Sequence, residues 1–218
     1  MNIILLGPPG AGKGTQAKRL EANLGLPQIS SGDIFRAMSL LETPEAQKIR
    51  AYQESGRLVP DDVTIEIILD RLHQPDARAG FILDGFPRTI PQAEALDQKL
   101  ELEGKKVDLT LSISVPVEVL VARIAGRMTC PHCGAIYNAE TNPPKVDMIC
   151  DVCGHQVVRR EDERPEVVKE RMEAYFRQTQ PLVDYYRGRH VLVEVDGSLP
   201  IDIVEAEVDE AVSAKAVT

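Results

Sequence analysis

Basic residues are outnumbered in this sequence: 25 lysines and arginines face 34 aspartates and glutamates, a net charge of −9. That balance argues against general nucleic-acid binding, which needs a basic footprint to release counterions, so any bound anion must be held by positive charge gathered locally. Aromatics are scarce too. There is no tryptophan, and four phenylalanines and five tyrosines do not build the basic, aromatic-rich strand face that single-stranded nucleic acid requires. No apolar run approaches the ~20 residues of a membrane span, and the N-terminus has neither the charged lead nor the long apolar core of a secretion signal. The expected setting is the cytoplasm, with no membrane and no nucleic-acid partner. No repeat or low-complexity tract divides the chain. What remains, 218 residues that are 43% hydrophobic and 27% charged, suits one soluble domain with insertions and a real core.

Cysteine is rare but not scattered. All four lie between Arg127 and Glu163, as Cys130-Pro131-His132-Cys133-Gly134 and Cys150-Asp151-Val152-Cys153-Gly154, two C-x-x-C knuckles separated by 16 residues. That spacing suits tetrahedral Zn²⁺ held by Cys130, Cys133, Cys150 and Cys153, with a glycine after each knuckle easing the turn. Disulfides are the alternative, and nothing marks the chain as secreted. His132 and His155 are expected to be exposed, since four thiolates complete a structural site with no open position for substrate. The polar segment between the knuckles is expected to be too short for a core of its own, so that the metal stabilises it.

Elsewhere the organising stretch is Gly7-Pro8-Pro9-Gly10-Ala11-Gly12-Lys13-Gly14-Thr15. An apolar, β-branched run, Met1 to Leu6, predicts a buried strand before it, and Thr15 to Leu24 predicts a helix after it, stopped by Gly25. Four glycines in eight residues also suit an ordinary flexible turn. The flanking strand and helix favour phosphate binding instead: backbone N–H groups wrap the anion, the helix N-terminus adds its dipole, and Lys13 supplies a mobile charge. Gly14 stands where the general motif has Ser or Thr, and Thr15 follows one place late.

Pro27 to Ser30 predicts a second strand. Residues 31–60 predict a polar, interrupted helical insertion, with an N-cap in Ser31-Gly32-Asp33, a new helix at Thr43-Pro44-Glu45 and a stop at Gly56. Asp61 and Asp62 open another helix with the acidic first turn that the macrodipole favours. Phe81-Ile82-Leu83-Asp84-Gly85 predicts a buried strand ending on a carboxylate, which should emerge near the glycine loop and can hold magnesium. Further expectations are helices over Pro91–Leu102, Val117–Gly126 (carrying Arg123), Pro165–Tyr186 and Pro200–Ala214, and strands over Leu109–Val115 and His190–Val195. Strands alternating with helices predict a parallel sheet with right-handed crossovers. Arginines 36, 88, 123, 127, 159, 160 and 171 fall where these elements should converge. Each alone suits a helix surface; together beside a phosphate loop they suggest clamps on more than one phosphate chain.

With the loop, the run Asp84-Gly-Phe-Pro-Arg88-Thr-Ile-Pro-Gln92, the knuckles, Arg160-Glu-Asp162 and Arg171 in view, the whole chain resembles adenylate kinases, in their long bacterial form with a zinc-bearing lid. The resemblance implies an α/β P-loop fold of three layers, a five-stranded parallel sheet flanked by helices, with a helical AMP-side insertion and a zinc-stapled lid. Residues 1–30, 61–126 and 165–218 would be the core, 31–60 the monophosphate-binding insertion and 127–164 the lid. ATP would meet Gly10, Ala11, Gly12, Lys13, Gly14, Thr15, Arg123, Arg127, Ile136, Tyr137 and the backbone of Leu199. AMP would meet Ser31, Arg36, Arg57, Leu58, Val59, Gly85, Phe86, Pro87, Arg88, Gln92, Arg160 and Arg171, with Gln92 reading the adenine edge. Lys13, Asp84, Arg88, Arg127, Arg160 and Arg171 would carry the chemistry, with Mg²⁺ on the ATP and structural Zn²⁺ in the lid. Glu161-Asp162-Glu163 departs from the family's commoner acidic pair while keeping its charge. The implied reaction is ATP + AMP = 2 ADP in a monomer. A kinase for UMP, CMP or GMP remains open, since the phosphate machinery does not choose the base, as does a zinc-ribbon interaction module.

Overall fold

The computed structural model describes residues 1–216. Its centre is a five-stranded parallel sheet in the order β2-β3-β1-β4-β7. The strands are β1 (Asn2–Leu6), β2 (Gln28–Ser30), β3 (Phe81–Asp84), β4 (Leu109–Ser114) and β7 (Leu192–Asp196). All five residues of β1 are buried, as expected of a strand covered on both faces. Its side chains alternate between two cores. Ile4 and Leu6 join Ile29, Leu83 and Phe86 beneath α4 (Asp61–Leu72), α5 (Ile90–Leu102) and α8 (Pro181–Arg187), through Ile68, Leu96, Leu182 and Tyr186. Ile3 and Leu5 join Ile82, Leu109 and Leu111 against α1 (Lys13–Leu24) and α9 (Ile201–Ala216), through Ala17, Leu20, Val204 and Val208. Each fully buried Ile or Leu stabilises by about 2 kcal/mol, so burial rather than helix propensity holds the layers.

Register places the functional ends together. Leu5 of β1 pairs with Asp84 of β3, and Ser30 of β2 pairs with that same Asp84, so the glycine loop, Asp84 and the start of the next helix leave the sheet side by side.

Two segments stand on this core. Helices α2 (Ser31–Ser39) and α3 (Pro44–Glu54) share a small cluster of Phe35, Ile49 and Val59, packed against Val63 and Ile67 of α4. After α6 (Val117–Ala125) the chain forms an antiparallel pair, β5 (Arg127–Thr129) with β6 (Ile136–Asn138), in which Met128 faces Tyr137.

The structure departs from the sequence expectations in four places. The N-cap of α2 is Ser30, whose hydroxyl accepts from Asp33 N, while Ser31 is already helical. The long helix over Pro165–Tyr186 is two, α7 (Pro165–Ala174) and α8, joined by a π-helical turn at Tyr175–Thr179, because Pro181 has no N–H to continue the ladder. The last strand begins at Leu192, after His190 adopts a left-handed conformation (φ 59°). The segment between the knuckles does contribute to a core: Tyr137 is buried with Met128, Val157, Cys130 and Cys150.

Candidate active site

The glycine loop joins β1 to α1, and its conformation needs glycine. Gly12 caps α1 with φ 98°, and Gly10 has φ 84° with no room for a Cβ, which would stand 2.9 Å from Ile124 Cγ1. Lys13 is the first residue of α1, and its Nζ donates back to the carbonyls of Gly7 (2.7 Å) and Pro8 (2.9 Å). Burial pushes its ammonium down to about 8; Asp84 pulls it up, and Arg88, Arg171 and Arg127 push it down again. Asp84 faces the loop, since a Cβ on Gly14 would meet its Oδ2 at 3.4 Å, and the same oxygen accepts from Gln28 Nε2 at 3.4 Å. Thr15 is exposed.

The arginines crowd over this loop. Burial lowers Arg88, and Arg36 pushes it further, against Asp84 and Asp162. Burial likewise brings Arg160 and Arg171 down to about 10, with Arg36 and Arg127 repelling the first, and Arg88 and Arg127 the second. Carboxylates answer some of this charge. Arg171 Nη1 donates to Asp162 Oδ2 at 2.7 Å, Arg36 pairs with Asp33, and Arg127 Nε donates to Glu163 Oε1 at 2.6 Å with only 4% of the Glu163 side chain exposed. Burial raises Asp162, but Arg171, Arg36 and Arg160 outweigh it and hold the carboxyl below its usual range. Thr129 Oγ1 accepts from Arg160 Nε at 3.0 Å, and Arg88 donates through Nε to Gly85 O at 2.6 Å. Lys13, Arg88 and Arg171 line one cleft of about 500 Å³ with Gly7, Gly85 and Tyr175. Half-buried cations in repulsive contact are costly unless an anion joins them, and planar guanidiniums suit phosphate oxygens.

A second cleft of about 560 Å³ adjoins the first, sharing Gly85, Arg88 and Arg171, and is walled by Ser31, Arg36, Arg57, Leu58, Val59 and Gln92. Ser31 Oγ donates to Gly85 O at 2.6 Å and Gln92 Oε1 accepts from Arg88 N at 2.8 Å, so both helix starts are tied to the Gly85–Arg88 turn. Arg57 is exposed, its guanidinium 5.3 Å over the Tyr52 ring.

The four cysteines converge, unbridged, at the end of the β5–β6 pair. Sγ–Sγ distances are 3.4 Å for Cys130–Cys153 and 3.5 Å for Cys133–Cys150, and all four sulfurs lie within 4.8 Å of one another. A tetrahedron with Zn–S of about 2.3 Å needs sulfurs roughly 3.8 Å apart, so the donor set fits zinc in number, softness and size. Tyr137 Oη accepts from Asp151 N at 2.7 Å and lies 3.4 Å from Cys150 Sγ, within hydrogen-bond reach. One place earlier on β6, Ile136 points the other way and would meet a Cβ on Gly14 at 3.4 Å. Lys18 of α1 also reaches this unit, donating to Gly134 O. His132 and His155 are exposed and stacked, with ring centroids 3.8 Å apart.

Comparison with known proteins decides the family. The adenylate kinase family pattern matches residues 5–191. The chain is 50% identical over 208 residues to the adenylate kinase of Lachnospira eligens, covering 95% of this chain and 98% of that protein. It is 54% identical over 202 residues to the adenylate kinase of Finegoldia magna (93% and 94% covered) and 51% identical over 215 residues to that of Methanosarcina mazei (99% of each). The chain belongs to the adenylate kinase family. Like other adenylate kinases it is a phosphotransferase working on nucleotides, and among the described residues no helix is long and apolar enough to cross a membrane.

Of the residues that the resemblance to adenylate kinases singles out, the structure gathers Lys13, Asp84, Arg36, Arg88, Arg127, Arg160 and Arg171 into one charged space. Gly85, Pro87 and Leu58 line it, and Phe86 lies buried beneath. Leu199 follows the Asp196–Ser198 turn, where a Cβ on Gly197 would stand 3.2 Å from Ala11 O. Arg123 stands apart in the last turn of α6, where its carbonyl accepts from Asn138 Nδ2, and Arg159 is exposed. Sequence reasoning missed the partners of these groups: Thr129 on Arg160, Thr179 Oγ1 donating to Arg88 O at 2.9 Å, and Asp61 accepting from Gln92 Nε2 at 2.7 Å. These contacts join residues 31 to 91 positions apart, and no local pattern signals them.

Proposed function

We propose the residue roles by which this adenylate kinase moves the γ-phosphoryl of ATP to AMP, giving two ADP in a reversible reaction. The observation that carries the reading is the set of half-buried cations over a glycine loop, with two adjoining clefts sharing Arg88 and Arg171. Gly10 to Thr15 hold the ATP phosphates through backbone N–H groups, and Lys13 follows the outer ones. Arg127, Ile136, the backbone of Tyr137 and Leu199 meet ATP from the lid and the last turn, while the Tyr137 side chain stays in the cysteine cluster, and Arg123 joins them from the end of α6. The second cleft takes AMP on Ser31, Arg36, Arg57, Leu58, Val59, the Gly85–Arg88 turn and Gln92. Arg88, Arg160 and Arg171, between the two, meet the reacting phosphates. The nucleophile is a phosphate oxygen already ionised near neutral pH, so no general base is needed; catalysis is positioning and charge neutralisation. Asp84 is the carboxylate that would hold Mg²⁺ bound to ATP, directly or through water, and the ion would supply further charge neutralisation.

Residues 1–30, 61–126 and 165–218 act as the core, though the last two lie outside the described residues; 31–60 act as the AMP-side unit and 127–164 as the lid. Zn²⁺ on the four cysteines holds the lid together without touching substrate. The chain is read as a cytoplasmic monomer with no nucleic-acid partner, and its net charge of −9 supports the last of these.

The direct test offers MgATP with AMP, UMP, CMP or GMP and resolves the products chromatographically. ADP formation should depend on AMP, and equal turnover of another monophosphate would overturn the base assignment. The lysine gives a second check. A Lys13 ammonium at about 8 is charged below that pH and neutral above it, so kcat/KM for MgATP should fall as pH rises through 8. Lys13→Arg, whose charge persists, should lack this limb whatever its absolute rate; a limb retained in that variant assigns the titration to another group.

A further inference from the structure

We infer that Asp61 sets which purine the AMP cleft accepts, by locking the Gln92 amide in one of its two orientations. The inference rests on the reading of that cleft as the monophosphate site, with Gln92 in its wall.

Gln92 is the third residue of α5 and only 1% exposed, so its amide finds partners in protein or goes without. Two neighbours engage it, each able to bond in one sense alone. The backbone N–H of Arg88 can only donate, and it donates to Oε1 at 2.8 Å. Asp61, the first residue of α4, can as a carboxylate only accept, and its Oδ1 accepts from Nε2 at 2.7 Å. Turning the amide over would set oxygen against carboxylate oxygen and NH₂ against N–H, breaking both bonds at a buried position. The orientation is therefore dictated by chemistry at both ends, the situation in which an amide assignment is secure.

A primary amide has two N–H donors and two acceptor lone pairs. Asp61 and Arg88 take one of each, leaving one donor and one acceptor, in fixed order, for the cleft. On its Watson–Crick edge adenine offers the complement, an exocyclic N–H beside the N1 acceptor. A 6-oxopurine offers an oxygen acceptor where adenine has its donor, and a ring N–H where adenine has its acceptor. Only a flipped amide pairs with that edge, and Asp61 opposes the flip. A helix-dipole role alone does not explain the contact: the exposed Asp62 serves the dipole equally, whereas Asp61 reaches across to a different helix 31 residues on.

Inosine monophosphate is the decisive probe, because it differs from AMP only along this edge. Asparagine at 61 keeps the size and the hydrogen bond, yet its own amide can turn to meet a flipped Gln92. Asp61→Asn should therefore reduce the AMP-over-IMP ratio of kcat/KM by about 10-fold, with KM for ATP within about twofold of the parent. The Arg88 N–H still opposes the flip, so selectivity falls without vanishing. An unchanged ratio in folded Asp61→Asn overturns the lock; should that variant fold poorly, Asp61→Ser, whose hydroxyl can donate or accept, carries the same expectation. Gln92→Ala separates the two levels. Collapse of the ratio there with no change in Asp61→Asn removes Asp61 alone, and no change in either removes Gln92 as the reader of the base.

Discussion

Replacing Lys13 with alanine should lower kcat/KM for MgATP by about 10³-fold and leave the melting temperature at or above that of the parent. The activity loss follows from removing the cation that the glycine loop holds. The stability side is the sharper claim. Among the described residues Lys13 bonds only to carbonyls of its own loop, and its lowered pKa means that the folded chain holds the proton less tightly than the unfolded chain. Below pH 8 the buried charge therefore costs stability, and the cost fades between about 8 and 10.5. Alanine removes it. A steady-state assay beside a thermal melt checks both halves, and near-parent turnover in a folded Lys13→Ala chain would sink the site assignment.

The second large effect concerns the thiols. On the proposed zinc site, Cys150→Ser should abolish metal binding and lower the melting temperature by about 5–10 °C, reflecting a few kcal/mol of metal-coupled folding. Cys150 is buried, packs with Met128, Tyr137 and Val157, and shares a hydrogen bond with the Tyr137 hydroxyl. Losing the metal should loosen this small cluster while the sheet, with its two separate cores, stays intact. Metal content and calorimetry on the same samples decide it: zinc lost with melting unchanged would mean that the metal holds nothing.

How far the sequence carried these conclusions differs by element. β1, β3 and β4 are short apolar runs bounded by turn residues, and the glycine loop has a fixed spacing, so sheet and loop were legible. The β5–β6 pair was not, because three-residue strands are too short to display an alternation. Ser30 and Ser31 are equally good caps on paper. Gly85 decides between them by taking the Ser31 hydroxyl, and it lies 54 residues away. The break at Tyr175–Thr179 needed Pro181 to be weighed against a helical pattern running through it. The site's cations were legible as a list but not as a network: Arg127 meets Glu163 and Arg160 meets Thr129 only in the folded chain, 36 and 31 residues apart.

That network has a consequence for how water is kept out. Among the described residues, Lys13 and Arg36, Arg88, Arg127, Arg160 and Arg171 meet the carboxylates of Asp33, Asp84, Asp162 and Glu163 here, so cations are in the majority inside a protein of net −9. Left alone, those cations resist being drawn together. Lys13 lines the first cleft and Arg36 the second, with Arg88 and Arg171 in both, so on the proposed roles each nucleotide answers the cations of its own cleft. A lone ATP, with water as its only available acceptor, leaves the cations of the second cleft still pushing apart.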